Sequence, residues 1–298
     1  MKELLSTSRS EYSMALRKRL YDALQQDFGP LGDVTSLAMI EKDHHASAEL
    51  IVKGESGIVS GLSLVEVIFE LVDRSIKFTP LKKDGDRIAK GEKLALIEGK
   101  GQSILKGERV ALEFIRRMSG IATKTNQFVK AVENTGVKIL DTRKIWPGYG
   151  ELDKQAVRDG GGTNHRMNLS EMGLIKNNHI DILDGNISLA IFMFRKAYPN
   201  IPLEVEVRNL IELSEALGSN PERILLDNMD NNQLIESVGM RHQHYLESQH
   251  RVELEASGNM SLDRVKSVAE TGVDFISVGA LTHSVEAFDI SLHITFNK

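Results

Sequence analysis

The sequence predicts an α/β protein in two parts: an α+β region with a small antiparallel sheet, then a closed or nearly closed β/α barrel. Three observations carry this. Short β-type runs bounded by glycines and turn pairs fill residues 46–105. Six short apolar runs follow from residue 137 on, with helical stretches between them, the pattern of a parallel sheet. From Lys176 the polar or glycine residues closing these runs stand about 20 to 30 residues apart, the length of one βα unit. Six such units in succession favour a barrel over an open sheet.

The elements follow in order. Met14, Leu16, Leu20, Ala23 and Leu24 recur at helical spacing, and Gly29-Pro30 ends that helix. Strands are expected at 48–52, 57–61 and 94–98, a helix at 63–72, and turns at Asp84-Gly85 and Gly91-Glu92. Two helical patterns cover 110–117 and 123–134. The barrel runs are 137–141, 172–176, 203–207, 223–227, 252–256 and 275–279, with helices at 188–197, 210–217 and 262–270 between them. His242, His244 and His250 lie in a polar stretch and read as surface residues.

Composition narrows the function. The 298 residues are 41% hydrophobic and 27% charged, which excludes extended disorder and a fibrous class. Cysteine is absent, so disulfides, thiolate zinc sites, iron–sulfur clusters and a cysteine nucleophile are excluded. Its absence also fits a reducing cytoplasm, the expected location. A net charge of −5 speaks against a nucleic-acid binder. No apolar run approaches ~18 residues, so no membrane span is expected. The opening MKELLSTSRSEYS lacks an apolar stretch with a cleavage site, so no secretory signal is expected.

The residues closing the runs are Asp141, Lys176, Glu206, Asp227, Ser257 and Gly279. A barrel gathers the C-terminal ends of its strands at one mouth, and that face carries chemistry. Charged residues also end strands wherever the chain meets solvent, and for any one position that is the better reading. The series as a whole favours a site. Arg143, Lys144, His165, Arg166 and Lys176 form a cationic cluster in an otherwise acidic chain, and a small polyanion suits it. A solvated basic loop is the plainer alternative. Against it, Arg143 and Lys144 directly follow an apolar strand, and His165 and Arg166 follow three glycines. Glu206 and Asp227 could hold Mg²⁺ through oxygen ligands, or pair with the cations. Ser257-Gly258-Asn259 and the segment around Gly279 read as phosphate cradles on the last two strands.

These residues resemble those of the quinolinate phosphoribosyltransferases. The match runs through nearly the whole chain: Gly32-Asp-Val-Thr35, Glu108-Arg-Val-Ala-Leu112, Ser119-Gly-Ile-Ala122, Asp141-Thr-Arg-Lys144, Asn164-His-Arg166, Leu174-Ile-Lys176, Glu204-Val-Glu-Val207, Leu226-Asp-Asn228, Glu255-Ala-Ser-Gly258 and the string 276–284. The resemblance implies the fold of the type II phosphoribosyltransferases. An N-terminal α/β sandwich (1–115, joined by 285–298) would precede an incomplete β/α barrel (116–284). It implies a homodimer with shared active sites. The implied reaction joins quinolinate to 5-phosphoribosyl 1-pyrophosphate with Mg²⁺, giving nicotinate mononucleotide, pyrophosphate and CO₂.

Carried over by residue, the partner's Arg109 with Arg143, Lys144, His165, Arg166 and Lys176 would line the quinolinate dicarboxylate. Glu206 and Asp227 would face the ribose and the metal–pyrophosphate, the metal held directly or through water. Ser257, Gly258, Asn259 and Gly279 would hold the 5′-phosphate. Lys144, Lys176, Glu206 and Asp227 are the expected catalytic set. The chain departs from the family at Glu113, Ile145, Trp146, Tyr149, Gly150, Glu151 and Asn177, which puts the closure of the loop 145–152 in question. Two other classes compete: a Schiff-base lyase using Lys176, and a non-catalytic sensor of pyridine carboxylates.

Overall fold

A computed structural model describes residues 12–296. The expectation about a secretory signal falls largely outside them. The chain divides into two compact units. One holds the described residues up to Lys124, Arg158–Gly160 and those from Val285 on; the other holds Thr125–Val157 and Gly161–Ser284.

In the first unit, α1 (Met14–Phe28) starts at Ser13, whose hydroxyl accepts from Leu16 N at 3.2 Å. Leu16, Leu20 and Leu24 form its buried stripe, whereas Met14 faces solvent. It stops at Gly29, at φ +59. The short helix α2 (Val34–Met39) follows, capped by Asp33. In β1 (His45–Val52), Ala46, Ala48, Leu50 and Val52 are buried in alternation, as a sheet with one face on a core requires. After β2 (Ser56–Ile58), α3 (Leu62–Val72) buries Leu64, Val65, Ile68 and Phe69. The strands β3 (Lys77–Pro80), β4 (Arg87–Ala89), β5 (Lys93–Lys100) and the C-terminal β12 (Ile290–Phe296) complete the unit. The main sheet is antiparallel in the order β12-β1-β5-β3, and β2 pairs with β4.

A single 31-residue helix, α4 (Gly101–Ala131), replaces the two helices expected at 110–117 and 123–134. The boundary expected between residues 115 and 116 falls inside it. Gly120 lies in the gap between the two expected patterns and is helical in the structure. A Cβ there would stand 2.1 Å from the Glu286 carbonyl.

In the second unit, β6 (Lys138–Leu140), β7 (Gly173–Ile175), β8 (Leu203–Val207), β9 (Arg223–Asp227), β10 (Glu253–Ser257) and β11 (Phe275–Ser277) form a parallel sheet in the order β6-β11-β10-β9-β8-β7. This is chain order taken around a circle and opened between β6 and β7. A doubly wound sheet would reverse direction partway; this one does not, so it is an incomplete β/α barrel. Its helices are α5 (Gly150–Asp159), α6 (Asn177–Asp181), α7 (Ile187–Ala197), α8 (Leu210–Gly218), α9 (Asn231–Ser248), α10 (Leu262–Ala269) and α11 (Ala280–His283). Sequence spacing does not reveal α5, whose buried face includes the charged Asp153 and Lys154, or α9, which buries only Leu234 and Ser237 beneath a polar face. His242 and His244 lie on α9, where His244 Nε2 meets Asn220 Oδ1 at 2.8 Å.

Candidate active site

The period-2 alternation of the strands sorts the barrel interior into layers. Glu204 and Glu206 share one face of β8; Arg223, Leu225 and Asp227 share one face of β9; Glu253, Glu255 and Ser257 share one face of β10. The register sets Glu204 beside Arg223, Glu206 beside Leu225 and Asp227 beside Ser257. Glu206, Asp227 and Ser257 therefore form the layer at the C-terminal end, and Glu204 and Glu255 lie one layer deeper.

At the upper layer, Lys176 follows β7 directly and its Nζ stands 3.2 Å from Glu206 Oε2. Lys176 is half exposed, and its backbone N–H donates to His179 Nδ1 at 2.9 Å. The Asp227 carboxylate has no hydrogen bond or ion pair among the described residues. Lys144 is exposed, and its carbonyl accepts from Thr282 Oγ1 at 2.8 Å. Gly279 lets its side chain pass, since a Cβ there would meet Lys144 Cδ at 3.2 Å.

The loop after β10 turns through left-handed backbone at Gly258 (φ +101) and Asn259 (φ +48). A Cβ on Gly258 would stand 2.1 Å from Asn228 Oδ1, so only glycine fits. Arg264 on α10, which sequence reasoning missed, secures the loop by donating to the carbonyls of Gly258 at 3.0 Å and Met229 at 2.7 Å. Successive turns of this kind aim backbone N–H groups at an anion.

Asp141 is fully buried and does not face the mouth. It accepts from Lys154 Nζ (2.6 Å), Asn164 Nδ2 (2.6 Å) and His165 N (2.8 Å). Burial pushes its carboxyl up, against the pull of Lys154. Lys154, also fully buried, donates to the His165 carbonyl at 2.8 Å. The two together clamp the segment 164–165.

That clamp sets His165 apart from the cation the sequence suggested. Its ring lies inside the barrel, with Nε2 2.9 Å from Glu204 Oε2 and 3.6 Å from Glu255 Oε2. Its Nδ1 accepts from the Arg166 backbone N–H at 2.7 Å. Burial pushes the imidazole pKa down, so the ring is not a free positive charge. Burial likewise raises Glu204 to about 7, and raises Glu255 to about 8 with help from the Glu204 charge. Arg223 reaches Glu255 at 3.3 Å and Glu253 at 3.2 Å and stacks over Phe275 at 4.0 Å. Glu204, Glu255 and Arg223 are the residues the sequence reading overlooked. The alternation in 203–207 and 253–257 was the available signal.

Among the described residues, His165, Glu204 and Glu255 bring donor atoms within 4.8 Å of one another, the spacing of a metal site. The tautomer argues otherwise. With Nδ1 accepting from Arg166, a neutral ring carries its proton on Nε2, leaving no lone pair for a metal.

Arg166 is 8% exposed, and its Nη1 donates to the Met172 carbonyl at 2.7 Å. Burial, then the nearby Arg143 guanidinium, pulls its pKa down. Exposed Arg143 also borders an open pocket of about 900 Å³ walled by Ile145, Met167, Leu169, Phe194 and Tyr198, which does not include the strand-end residues. In the departing loop, Ile145 and Gly150 fit each other, because a Cβ at 150 would stand 2.3 Å from Ile145 Cδ1. Trp146 and Tyr149 pack 4.8 Å apart. Arg109 belongs to the first unit, on α4. It is exposed and its Nη1 donates to Glu113 at 3.3 Å.

The fold and this site define a β/α-barrel enzyme that handles a small polyanion. Residues 33–119 match the family described as "Quinolinate phosphoribosyl transferase, N-terminal domain", and 121–293 match its C-terminal domain. The chain is 43% identical over 290 residues to the chloroplastic nicotinate-nucleotide pyrophosphorylase (carboxylating) of Oryza sativa subsp. japonica, covering 91% of this chain and 76% of that one. It is 37% identical to the probable nicotinate-nucleotide pyrophosphorylase (carboxylating) of Bacillus subtilis (strain 168), over 96% of this chain and 95% of the other. The crystal structure of nicotinate-nucleotide pyrophosphorylase from Ehrlichia chaffeensis superposes with a TM-score of 0.88 at 36% identity, covering 96% of this chain and all of that one. The chain belongs to the quinolinate phosphoribosyltransferase family.

Proposed function

We infer that the chain joins quinolinate to 5-phosphoribosyl 1-pyrophosphate, giving nicotinate mononucleotide, pyrophosphate and CO₂ in the biosynthesis of NAD. One observation carries the reading in this family: Lys176, Glu206 and Asp227 close β7, β8 and β9 at the C-terminal end of one barrel, and the further cations Arg143, Lys144 and Arg166 lie in the segments between β6 and β7. Two carboxylates on the acceptor and several phosphates on the donor need those cations. Arg166 and Arg143 grip the acceptor, and the turn at 257–259 with Gly279 holds the 5′-phosphate.

The ribose C1–O bond breaks with its electron pair leaving on pyrophosphate. Glu206 stabilises the positive charge that develops at C1. The pyridine nitrogen's lone pair forms the new bond to C1, and the ring becomes cationic. The bond to the C2 carboxylate then breaks, its electrons stay on C2, and CO₂ leaves. Lys144 and Lys176 are the ammonium groups from which C2 can take a proton.

Mg²⁺ fits the residues present, because Asp227 offers a carboxylate without a protein partner beside Glu206. Both would hold it, directly or through water or pyrophosphate. When bound, it neutralises charge on the departing pyrophosphate. A homodimer in which Arg109 of one protomer completes the site of its partner supplies a further cation; the exposure of Arg109 supports this. A cytoplasmic setting rests on the absence of cysteine.

The test is release of CO₂ from carboxyl-labelled quinolinate. Release is expected only when phosphoribosyl pyrophosphate and Mg²⁺ are both present. Binding of quinolinate without turnover would favour a sensor, and a borohydride-trapped adduct on Lys176 would favour a lyase.

A further inference from the structure

We propose that Glu204 is a positioning residue: acting through His165, it holds Arg166 where that arginine meets the acceptor's carboxylate. The proposal rests on the functional reading above. Its basis is a continuous chain of contacts running from the barrel interior to the Arg166 guanidinium. Glu204 Oε2 stands 2.9 Å from His165 Nε2. His165 Nδ1 accepts from the Arg166 N–H at 2.7 Å. The Arg166 guanidinium then bonds the Met172 carbonyl at 2.7 Å, just before β7. Glu255, held by Arg223 at 3.3 Å, flanks Nε2 from the other side at 3.6 Å.

The arrangement has features that packing alone does not require. Glu204 is 0% exposed, and the one ion-pair contact its carboxyl makes among the described residues is to the His165 ring. A buried carboxyl left so is costly, and an apolar residue of the same size would suit a purely structural place better. What Glu204 supplies is an acceptor that dictates which imidazole nitrogen carries the proton. The proton on Nε2 leaves Nδ1 free to accept from Arg166. With the proton on Nδ1, two donors would face each other and the Arg166 backbone would have to move. Glu204 thus sets the tautomer, the tautomer sets the Arg166 backbone, and the backbone sets the guanidinium.

The experiment compares Glu204→Gln and Glu204→Leu with the wild type. Gln keeps an oxygen to accept from Nε2–H; Leu does not. In Glu204→Leu the KM for quinolinate should rise about tenfold or more, while the KM for phosphoribosyl pyrophosphate stays within about twofold. Glu204→Gln should recover most of the quinolinate affinity. An unchanged quinolinate KM in folded Glu204→Leu overturns the proposal, as does an equal loss for both substrates. Should Glu204→Leu fail to fold, the wild-type protein still decides. Its ¹⁵N-histidine spectrum, assigned with His165→Asn, must show His165 protonated on Nε2; an Nδ1–H ring or an imidazolium overturns the proposal. Calorimetry with quinolinate on the wild type separates the two levels. No binding there sinks the functional reading and the proposal together, whereas binding that Glu204→Leu does not weaken sinks the proposal alone.

Discussion

Lys144 and Arg166 carry the same charge in different surroundings, so removing them should read differently. Lys144 is exposed and anchored through its backbone, so Lys144→Ala should lower kcat/KM by about a hundredfold or more with the melting temperature unchanged. A large thermal loss would mean that its charge serves the fold. Arg166 is buried and bonds the Met172 carbonyl. Arg166→Ala should therefore lose activity and also about 1–3 kcal/mol of stability, as denaturant titration would show. Glu255 supplies a pH test. Burial raises its carboxyl from the ordinary 4.5 to about 8. An acid whose pKa is higher folded than unfolded contributes its full stability below pH 4.5 and loses it as pH rises through the folded value. The melting temperature should thus fall between about pH 5 and 8, and Glu255→Gln should flatten that slope; equal slopes would contradict the assignment. These residues also show what the sequence could reveal. Lys176, Glu206 and Asp227 stand out in the sequence because they close apolar runs, and Lys144 because it follows one within three residues. The sequence presents His165 as one of a run of cations; its carboxylate neighbours Glu204 and Glu255 sit one layer down in strands whose depth a linear pattern does not display.

Strands and helices were legible to different degrees for a physical reason. Each barrel strand is buried on its outer face by helices, so β8, β9 and β10 stand out as apolar runs broken by inward polar residues. The helix α9 buries Leu234 and Ser237 beneath a polar surface, and its periodicity is faint. Helix α4 misleads in the opposite way, because the two expected patterns leave a gap around Gly120, where the close approach of the Glu286 carbonyl leaves no room for a side chain. The turn after β10 gives this scale its prediction. Gly258→Ala would force a side chain into left-handed backbone and against Asn228. The KM for phosphoribosyl pyrophosphate should rise by about tenfold or more, with quinolinate binding by calorimetry little changed. Equal weakening of both would remove the phosphate role from this loop.

For the molecule as a whole, the expected homodimer can be tested by complementation. Arg109→Ala and Lys144→Ala should each be inactive alone. If Arg109 serves the partner's site, a mixed dimer has one site with both lesions and one with neither. Equal mixing with random reassortment should then restore roughly one quarter of wild-type activity. No recovery, with mixed dimers confirmed by mass, would place Arg109 in its own chain's site. The central claim is that the cations at the barrel's end are there for a dicarboxylate acceptor that loses CO₂. Its most direct test is the rate of nicotinate mononucleotide formation with quinolinate and with nicotinate, each supplied with phosphoribosyl pyrophosphate and Mg²⁺. The account predicts strong preference for quinolinate, with one CO₂ released for each mononucleotide formed. Equal turnover with nicotinate would contradict it.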